Sequence, residues 1–262
     1  MKLPRALVRF VAAAGYRAAR LFGPRVYAQD GLVSVHNHDF MRDPEFVRAY
    51  GRGLQALGGH DDYRWHWRIH VGLWAAATAA RLDGDFVECG VNRGFLSSAI
   101  MESLDWDRLG RTFWLLDTFA GVDERLVSAE ERRDGALQRN RDELASGFYV
   151  SGPESVVANF AQWKNVRIVV GAIPGALAEV DAARIAYLHL DMNCAPPEVA
   201  AVEHFWDRLV PGAVILLDDY AYLGYEHQKA AMDAFAASRG VAICSLPTGQ
   251  GLMLKPPAPG WP

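Results

Sequence analysis

Between Gly84 and Lys255, short apolar runs alternate with longer segments in which apolar residues recur every three to four positions. The short runs predict strands and the longer segments predict helices. Strands separated by helices form a mostly parallel sheet with right-handed crossovers. The predicted strands are DFVEC, TFWLLD, VRIVV, RIAYLHLD, AVILLDD, VAICSL and GLMLK. The last two have no helix between them, so we predict a hairpin that brings one antiparallel strand into the sheet.

The helical periodicity predicts five main helices, from Tyr63 to Leu82, from about Gly94, from Glu154 to Trp163, from Pro197 to Leu209 and from Tyr225 to Arg239. A highly charged insert from about 118 to 151 interrupts this alternation. Connections of this length are often lids or substrate-binding segments. We therefore expect the insert to close over a site, and the alternative is a solvated surface helix.

The beginning of the chain has a different character, with six basic residues and no acidic residue before Asp30. Its apolar and basic residues fall on opposite faces of a helical wheel, which predicts an amphipathic helix. Such a helix packs on the main domain or on a partner subunit, or it rests on anionic lipid. Farther on, HNHDF and GRGLQALGG predict loops around a short helix. We divide the chain into a helical extension (1–62), a main α/β domain (63–256) and a tail (257–262).

The composition narrows the class of protein. With 51% hydrophobic residues and a net charge of -4, the chain is ordinary globular material and gives no electrostatic reason to expect a nucleic-acid partner. No window reaches the roughly 20 apolar residues that span a bilayer. The three cysteines, Cys89, Cys194 and Cys244, lie in separate apolar runs and predict buried thiols, neither disulfides nor a zinc site. We expect a soluble, cytoplasmic protein.

Acidic residues end four of the predicted strands. Ligands of parallel sheets bind beyond the carboxyl ends of the strands, where these acids meet. Each acid alone could cap a helix or belong to a turn. Five at one edge instead predict a binding site, and they are Glu88, Asp117, Asp191, Asp218 and Asp219.

The glycines after the first of these strands restrict the ligand. Gly90 and Gly94 are spaced G-x-x-x-G, and Asn92 takes the position at which the dinucleotide fingerprint has its second glycine. A ligand without a pyrophosphate therefore fits better. Asp117 suits the vicinal hydroxyls of a ribose, and Glu88 with its acidic neighbours would attract a cationic group. S-adenosylmethionine combines these features.

The runs GDFVECGVNRG, FWLLDTFAGV, LHLDMN and GAVILLDDY resemble the macrocin O-methyltransferase-like family of S-adenosylmethionine-dependent methyltransferases, over about Trp65 to Lys255. The resemblance implies a Rossmann-like seven-stranded α/β fold, methylation of sugar hydroxyls on natural products, a magnesium requirement and a homo-oligomer. It also implies a set of cofactor contacts: Glu88, Gly90 and Gly94 at the methionine part, Asp117 at the ribose, and Gly171 and Ala172 at the adenine.

Asp191, Asp218 and Asp219 are the predicted Mg²⁺ ligands, because this ion prefers hard oxygen ligands. The ion would hold two substrate oxygens and lower the pKa of the one that attacks. The segment LDMNCAPPE departs from the family pattern, since Asn193 and Ala195 replace its usual second acid and tyrosine. Capping of the next helix is the alternative role for Asp218 and Asp219.

Two residues are candidates for the general base. His227 lies closest in sequence to the acidic cluster, and Asp191 or a metal-bound hydroxide could take the proton instead. His189 alternates with Asp191 along its strand and faces either a packed layer or the same rim.

The leading hypothesis is a magnesium-dependent O-methyltransferase that acts on a sugar or similar polyol within a larger metabolite. One alternative is a glycosyltransferase in which Asp191 and Asn193 hold a metal and a nucleotide-sugar diphosphate. Another is a binding module with a vestigial site, and an NAD-dependent dehydrogenase is disfavoured by the glycine spacing.

Overall fold

The computed structural model describes residues 14–15 and 26–257. Nine strands lie in this part of the chain: β1 Tyr27–Gln29, β2 Leu32–Ser34, β3 Asp85–Cys89, β4 Phe113–Asp117, β5 Val166–Val170, β6 Ile185–Leu190, β7 Leu209–Leu217, β8 Cys244–Ser245 and β9 Gly251–Leu254. Seven of them form one sheet in the order β5-β4-β3-β6-β7-β9-β8. Strands β3 to β7 pair in parallel, and β9 runs antiparallel to both of its neighbours. The predicted Rossmann-like sheet with one antiparallel strand is confirmed.

Helices cover both faces of this sheet. They are α1 Pro44–Ala56, α2 His66–Ala79, α3 Phe95–Ser103, α4 Ala129–Arg133, α5 Ala136–Ser146, α6 Glu154–Phe160, α7 Ala195–Phe205 and α8 Glu226–Ser238. The helix predicted to begin at Pro197 begins two residues earlier. Its first turn contains two prolines, which fit there because proline has no backbone N–H and the first N–H groups of a helix have no acceptor within the helix. The insert contains α4 and α5 and is not a structureless connection.

The region before α2 differs from the sequence prediction. Strands β1 and β2 form a hairpin around Asp30 and Gly31 that we did not predict. Helix α1 continues through the GRGLQA segment, for which the sequence predicts a loop. Gly53 in this segment allows α1 to pack closely against α3, because a Cβ there would lie 2.6 Å from the ring of Phe95. The amphipathic helix of the first residues lies outside the described part of the chain, apart from residues 14–15.

The middle of the sheet is buried on both faces. All six residues of β6 are buried, and so are the last five of β7. A strand covered by helices on both sides needs apolar residues at every position, which explains why these runs do not alternate with polar residues. Packed aromatic rings of Phe86, Phe113 and Tyr187 fix the strands beneath the site. The strand ends therefore hold their acids in fixed positions.

The cysteine prediction is partly wrong. Cys89 and Cys194 are buried free thiols, but Cys244 is exposed. It lies on β8, a two-residue strand at the end of the sheet, where only one neighbour covers it. Within residues 26–257, none of the helices has the length and apolar character required to traverse a bilayer.

Candidate active site

A cavity of about 370 Å³ opens at the carboxyl ends of β3, β4, β6 and β7. This volume falls in the range of small-molecule sites, roughly 300–1,000 Å³. Its wall includes nearly all of the predicted cofactor and acidic residues, namely Glu88, Gly90, Asp117, Gly171, Ala172, Asp191, Asp218 and Asp219. The sheet thus brings together residues from five separate stretches of sequence.

The two glycines of the turn after β3 have different roles. Gly90 has φ of 91°, and a Cβ there would overlap the carbonyl oxygen of Asp191, so the close approach of two strand ends requires glycine. Gly94 does not line the cavity; it precedes α3, and the ring of Phe160 fills the space that its side chain would need. The structure thus places Gly94 at a packing contact with Phe160, and its contact with the methionine part stays a prediction.

Asp117 holds the same turn from the neighbouring strand. Its carboxylate accepts hydrogen bonds from the backbone N–H groups of Val91 at 2.7 Å, Asn92 at 2.8 Å and Phe119 at 2.7 Å. Three such bonds fix the turn against β4. Asp117 therefore stabilises a turn, which was one of the two alternative roles given for each acid in the sequence analysis. Its side chain also lines the cavity.

Glu88 and His189 form a buried pair on adjacent strands. Oε1 of Glu88 lies 2.9 Å from Nδ1 of His189, while Oε2 of Glu88 and Nε2 of His189 have no hydrogen-bond partner among the described residues. Burial lowers the pKa of His189, but the carboxylates of Asp218 and Glu88 outweigh it and raise this pKa to about 10. The free Oε2 is an acceptor that a ligand can complete, because buried polar groups are rarely left unpaired.

The three aspartates at the ends of β6 and β7 have different pKa shifts. Burial, together with the neighbouring Asp218 and Asp219, raises the pKa of Asp191 well above its usual value. Burial and Asp218 raise the pKa of Asp219 to about 7. Burial acts on Asp218 as well, but Arg68 and His189 overcome it and hold this pKa below its usual value. Asp218 is therefore the carboxylate of this group that keeps its charge.

Arg68 and Asp30 belong to this cluster, and the sequence analysis missed both. Arg68, on α2, forms an ion pair with Asp218, and its Nη1 lies 3.7 Å from Oδ1 of Asp219. Its Nε lies 3.3 Å from Oδ2 of Asp30 in the β1–β2 hairpin. The Asp-Gly pair at 30–31 is a hairpin signal that could have been recognised. Arg68 gave no signal, because helical periodicity does not show which distant residue a side chain meets.

The predicted magnesium site does not fit these contacts. In the described part of the chain, no three or more His, Cys, Asp or Glu side chains are grouped so that they could hold a metal ion. Asp218 and Asp219 face the guanidinium of Arg68, which neutralises them in place of an external cation. The amide of Asn193 donates to Oδ1 of Asp191 at 3.4 Å. These contacts do not support the assignment of Asp191, Asp218 and Asp219 as metal ligands, which stays a prediction.

His227 lies away from the acidic cluster. It follows the first residue of α8, and its Nε2 lies 3.0 Å from Oδ2 of Asp134 in the insert. Its side chain does not line the cavity. The direction of α8 thus turns His227 towards the insert, so its predicted role as the general base is not supported.

The insert forms one side of the cavity and is fastened to the sheet. Asn92 donates to the carbonyl of Phe148 at 3.0 Å and accepts from the N–H of Val150 at 2.9 Å. Glu131, on α4, accepts a hydrogen bond of 2.7 Å from the first N–H of α7. The residues of the insert that line the cavity are Thr118, Gly121, Val122, Asp123, Leu126, Glu143, Phe148, Tyr149 and Val150.

The fold is shared with known O-methyltransferases. The structure of the O-methyltransferase NovP superposes with a TM-score of 0.62 at 20% identity, over 72% of this chain and 79% of that one. The calicheamicin methyltransferase CalS11 gives a TM-score of 0.56 at 17% identity, over 84% of this chain and 94% of that one. These similarities define the fold class as that of the methyltransferases.

The sequence then identifies the family. The model of the macrocin-O-methyltransferase (TylF) family matches residues 72–244, which is more than half of the chain. The chain belongs to the macrocin O-methyltransferase family. The resemblance found in the sequence motifs is confirmed.

One curated relative is 30% identical over 149 residues. It is the 8-demethyl-8-(2,3-dimethoxy-alpha-L-rhamnosyl)-tetracenomycin-C 4'-O-methyltransferase of Streptomyces olivaceus, and the match covers 53% of each chain. The chain thus spans about half the length of the curated relative it matches.

Proposed function

We propose that this protein is an S-adenosylmethionine-dependent O-methyltransferase that acts on a hydroxyl of a sugar or similar polyol within a larger metabolite. One observation carries the proposal: the unpaired Oε2 of Glu88, buried beside the turn of Gly90 at the wall of the cavity. A carboxylate there attracts a cationic ligand and repels a phosphate. Membership of the macrocin O-methyltransferase family supports the same assignment.

The acceptor class is supported by the relatives. The name of the curated relative specifies a rhamnosyl sugar attached to a larger molecule and methylation of a sugar oxygen. We extend this class, a hydroxyl of a sugar on a larger metabolite, to the present chain. Tyr63, Trp65 and Phe148 contact one another at the cavity wall and offer ring faces to an apolar part of such a molecule.

Different residues of the cavity have different roles in the proposed methyl transfer. The cofactor supplies a methyl group bound to a cationic sulfur. We propose that Glu88 accepts from its ammonium group, that Asp117 accepts from its ribose hydroxyls, and that Gly171 and Ala172 contact its adenine ring. Asp219, whose pKa is about 7, takes the acceptor proton, because a base works best when its pKa is near the working pH. Asp191, whose pKa is raised well above its usual value, is the alternative base and can take the proton only when it is ionised.

We further propose that the main domain (63–256) carries the reaction and that the insert is its lid. A lid keeps water out and aligns the acceptor oxygen, the methyl carbon and the sulfur. The contacts of Asn92 with both Phe148 and Val150 support this role, because they join the cofactor turn to the cavity side of the insert.

The test is isothermal titration of the purified protein with S-adenosylhomocysteine. We expect micromolar binding that weakens by more than tenfold in Glu88→Gln, since the amide lacks the negative charge. Glu102→Gln is the matched control, because Glu102 pairs with Arg48 near the C-terminal end of α3, whereas the turn precedes the N-terminal end. Equal binding by wild type and Glu88→Gln would remove the role of Glu88.

Parallel titrations with a UDP-sugar and with NAD separate the alternatives. Binding of the UDP-sugar alone would restore the glycosyltransferase hypothesis, and binding of none would favour a vestigial module. Incubation with S-adenosylmethionine and a panel of rhamnosylated metabolites, read by the mass gain of one methyl group, then defines the acceptor. The predicted homo-oligomer stays a prediction, which light scattering checks.

A further inference from the structure

The guanidinium of Arg68 lies among the carboxylates of Asp30, Asp218 and Asp219. No sequence motif predicted these contacts. Nε faces Asp30 at 3.3 Å, Nη1 pairs with Asp218, and the same Nη1 donates to the backbone carbonyl of Asp218 at 3.1 Å. Its side chain is only 9% exposed, and its charged end stacks over the ring of Tyr222 at 5.0 Å. A buried guanidinium with this many charge-assisted bonds is held in one orientation.

These bonds also occupy the acceptor atoms that a metal would need. Oδ2 of Asp218 faces Arg68, and Oδ1 accepts a hydrogen bond of 2.9 Å from Nε2 of Gln250. Asp219 lies 3.7 Å from the same guanidinium. A divalent ion at this place would have to approach the fixed positive charge of Arg68 and displace it from two carboxylates. Mg²⁺ needs oxygen ligands that are free to surround it in octahedral geometry, and these carboxylates are already paired with Arg68.

The chain holds Arg68 in place from two sides. Helix α2 brings the side chain of Arg68 to Asp218 and Asp219 at the end of β7, and the β1–β2 hairpin contributes Asp30 to the same guanidinium. Asp30 is nearly buried, with 6% of its side chain exposed. The hairpin therefore supplies an acid whose partner is the arginine, not an external ion.

We propose that Arg68 is the resident cation of this acidic cluster and that methyl transfer by this protein proceeds without a divalent metal. The inference rests on the proposed function. The acceptor oxygen forms a bond to the methyl carbon, the carbon–sulfur bond breaks and leaves a neutral thioether, and the acceptor proton passes to a carboxylate of the cluster. Arg68, at the cavity wall, favours loss of the acceptor proton, because its positive charge stabilises the oxygen as that proton leaves.

The first experiment measures metal binding and needs no turnover. Wild type is titrated with Mn²⁺, a paramagnetic substitute for Mg²⁺, and free Mn²⁺ is read by electron paramagnetic resonance. We expect no site tighter than about millimolar in wild type. Arg68→Met should gain at least tenfold in affinity, because it leaves Asp30, Asp218 and Asp219 without their cation, and Arg68→Met combined with Asp218→Asn should lose the gain.

Two controls separate loss of the cation from general damage. Arg68→Lys keeps a positive charge and should not bind Mn²⁺. Arg111→Met removes a guanidinium that donates to the carbonyls of Leu82 at 2.9 Å and Ala80 at 3.3 Å, away from the acids, and should also bind none. Circular dichroism establishes that each variant is folded.

A micromolar Mn²⁺ site in wild type that Asp218→Asn abolishes would overturn the inference, and this result does not depend on how Arg68→Met folds. A folded Arg68→Met that gains no affinity would overturn the role of Arg68 in excluding metal. Once an acceptor is known, activity should persist in EDTA, and restoration by Mg²⁺ of activity lost in EDTA would contradict the proposal. Failure to bind S-adenosylhomocysteine would instead reject the proposed function and leave the Mn²⁺ result standing.

Discussion

At the scale of single residues, burial determines which carboxyl groups of this protein bind protons. Glu198 is 3% exposed on α7, where Oε1 accepts hydrogen bonds from the backbone N–H of Met192 at 3.2 Å and from Nε2 of Gln228 at 2.7 Å. Burial nevertheless raises its pKa from 4.5 to about 8. The loss of hydration thus outweighs two hydrogen bonds.

Glu198→Gln should change how stability depends on pH. Between about pH 4.5 and pH 8 the folded state binds the Glu198 proton that the unfolded state releases, so the free energy of unfolding falls as pH rises, by about 1.4 kcal/mol per unit for this group. Glutamine does not titrate, so the free energy of unfolding of the variant should rise relative to that of wild type from pH 5 to pH 8. Urea denaturation at several pH values measures this, with exposed Glu203→Gln on the same helix as control. Parallel curves for wild type and Glu198→Gln would contradict the assignment.

Gly90→Ala should be far more damaging than an alanine at another left-handed glycine. Gly110 also has positive φ, at 65°, but a Cβ there meets nothing within 4 Å. Gly110→Ala should therefore cost only the strain of the left-handed region, roughly 1–2 kcal/mol. Gly90→Ala adds the overlap with the Asp191 carbonyl, so we expect several kcal/mol more in urea denaturation, or a chain that does not fold. Similar losses at the two positions would argue against the close strand contact.

At the scale of elements, the insert depends on its junction with α7. Ser128 and Glu131 form a capping box at the start of α4, and the other oxygen of Glu131 accepts from the N–H of Ala195. One glutamate thus satisfies the ends of two helices that are far apart in sequence. The capping box is visible in the sequence as S-A-E-E, whereas the contact with α7 is not.

Glu131→Ala should loosen the insert without unfolding the sheet. The variant leaves the N–H of Ser128, the N-cap residue of α4, and the first N–H of α7 without an acceptor, which we expect to cost about 1–3 kcal/mol locally. Hydrogen–deuterium exchange of residues 124–146 should accelerate, while β6 and β7 stay protected. Glu130→Ala is the matched control, because Glu130 is the adjacent residue and pairs with Arg133 at the surface. Equal exchange in the two variants would show that the junction does not hold the insert.

At the scale of the whole molecule, the layered architecture determines which thiols meet solvent. Cys89 ends a central strand and Cys194 precedes α7, so helices and the insert cover both, while Cys244 lies on the last strand of the sheet. A thiol reagent should therefore label one cysteine per folded chain quickly and all three in denaturant. Cys244→Ser should abolish the fast labelling. Fast labelling of two or three thiols in the folded wild type would contradict this arrangement.

From Gly84 onward and outside the insert, the sequence alone predicted the alternation of strands and helices, the antiparallel strand and the edge at which the acids meet. These features depend on local periodicity and on the rule that parallel strands end on the same side of a sheet. It also gave the family, because Glu88, Gly90 and Asp117 lie in contiguous motifs.

The contacts between residues that are distant in sequence could be known only from the folded structure. Arg68 and Asp30 joined the aspartates, His227 turned to the insert, and Gly94 became a packing contact. The physical reason is that a side chain's partner depends on how elements pack, and the residues of this cluster come from a hairpin, a helix and two strands. Local sequence determines whether a segment forms a strand or a helix. The charge pairing at the site depends on how these elements pack against one another.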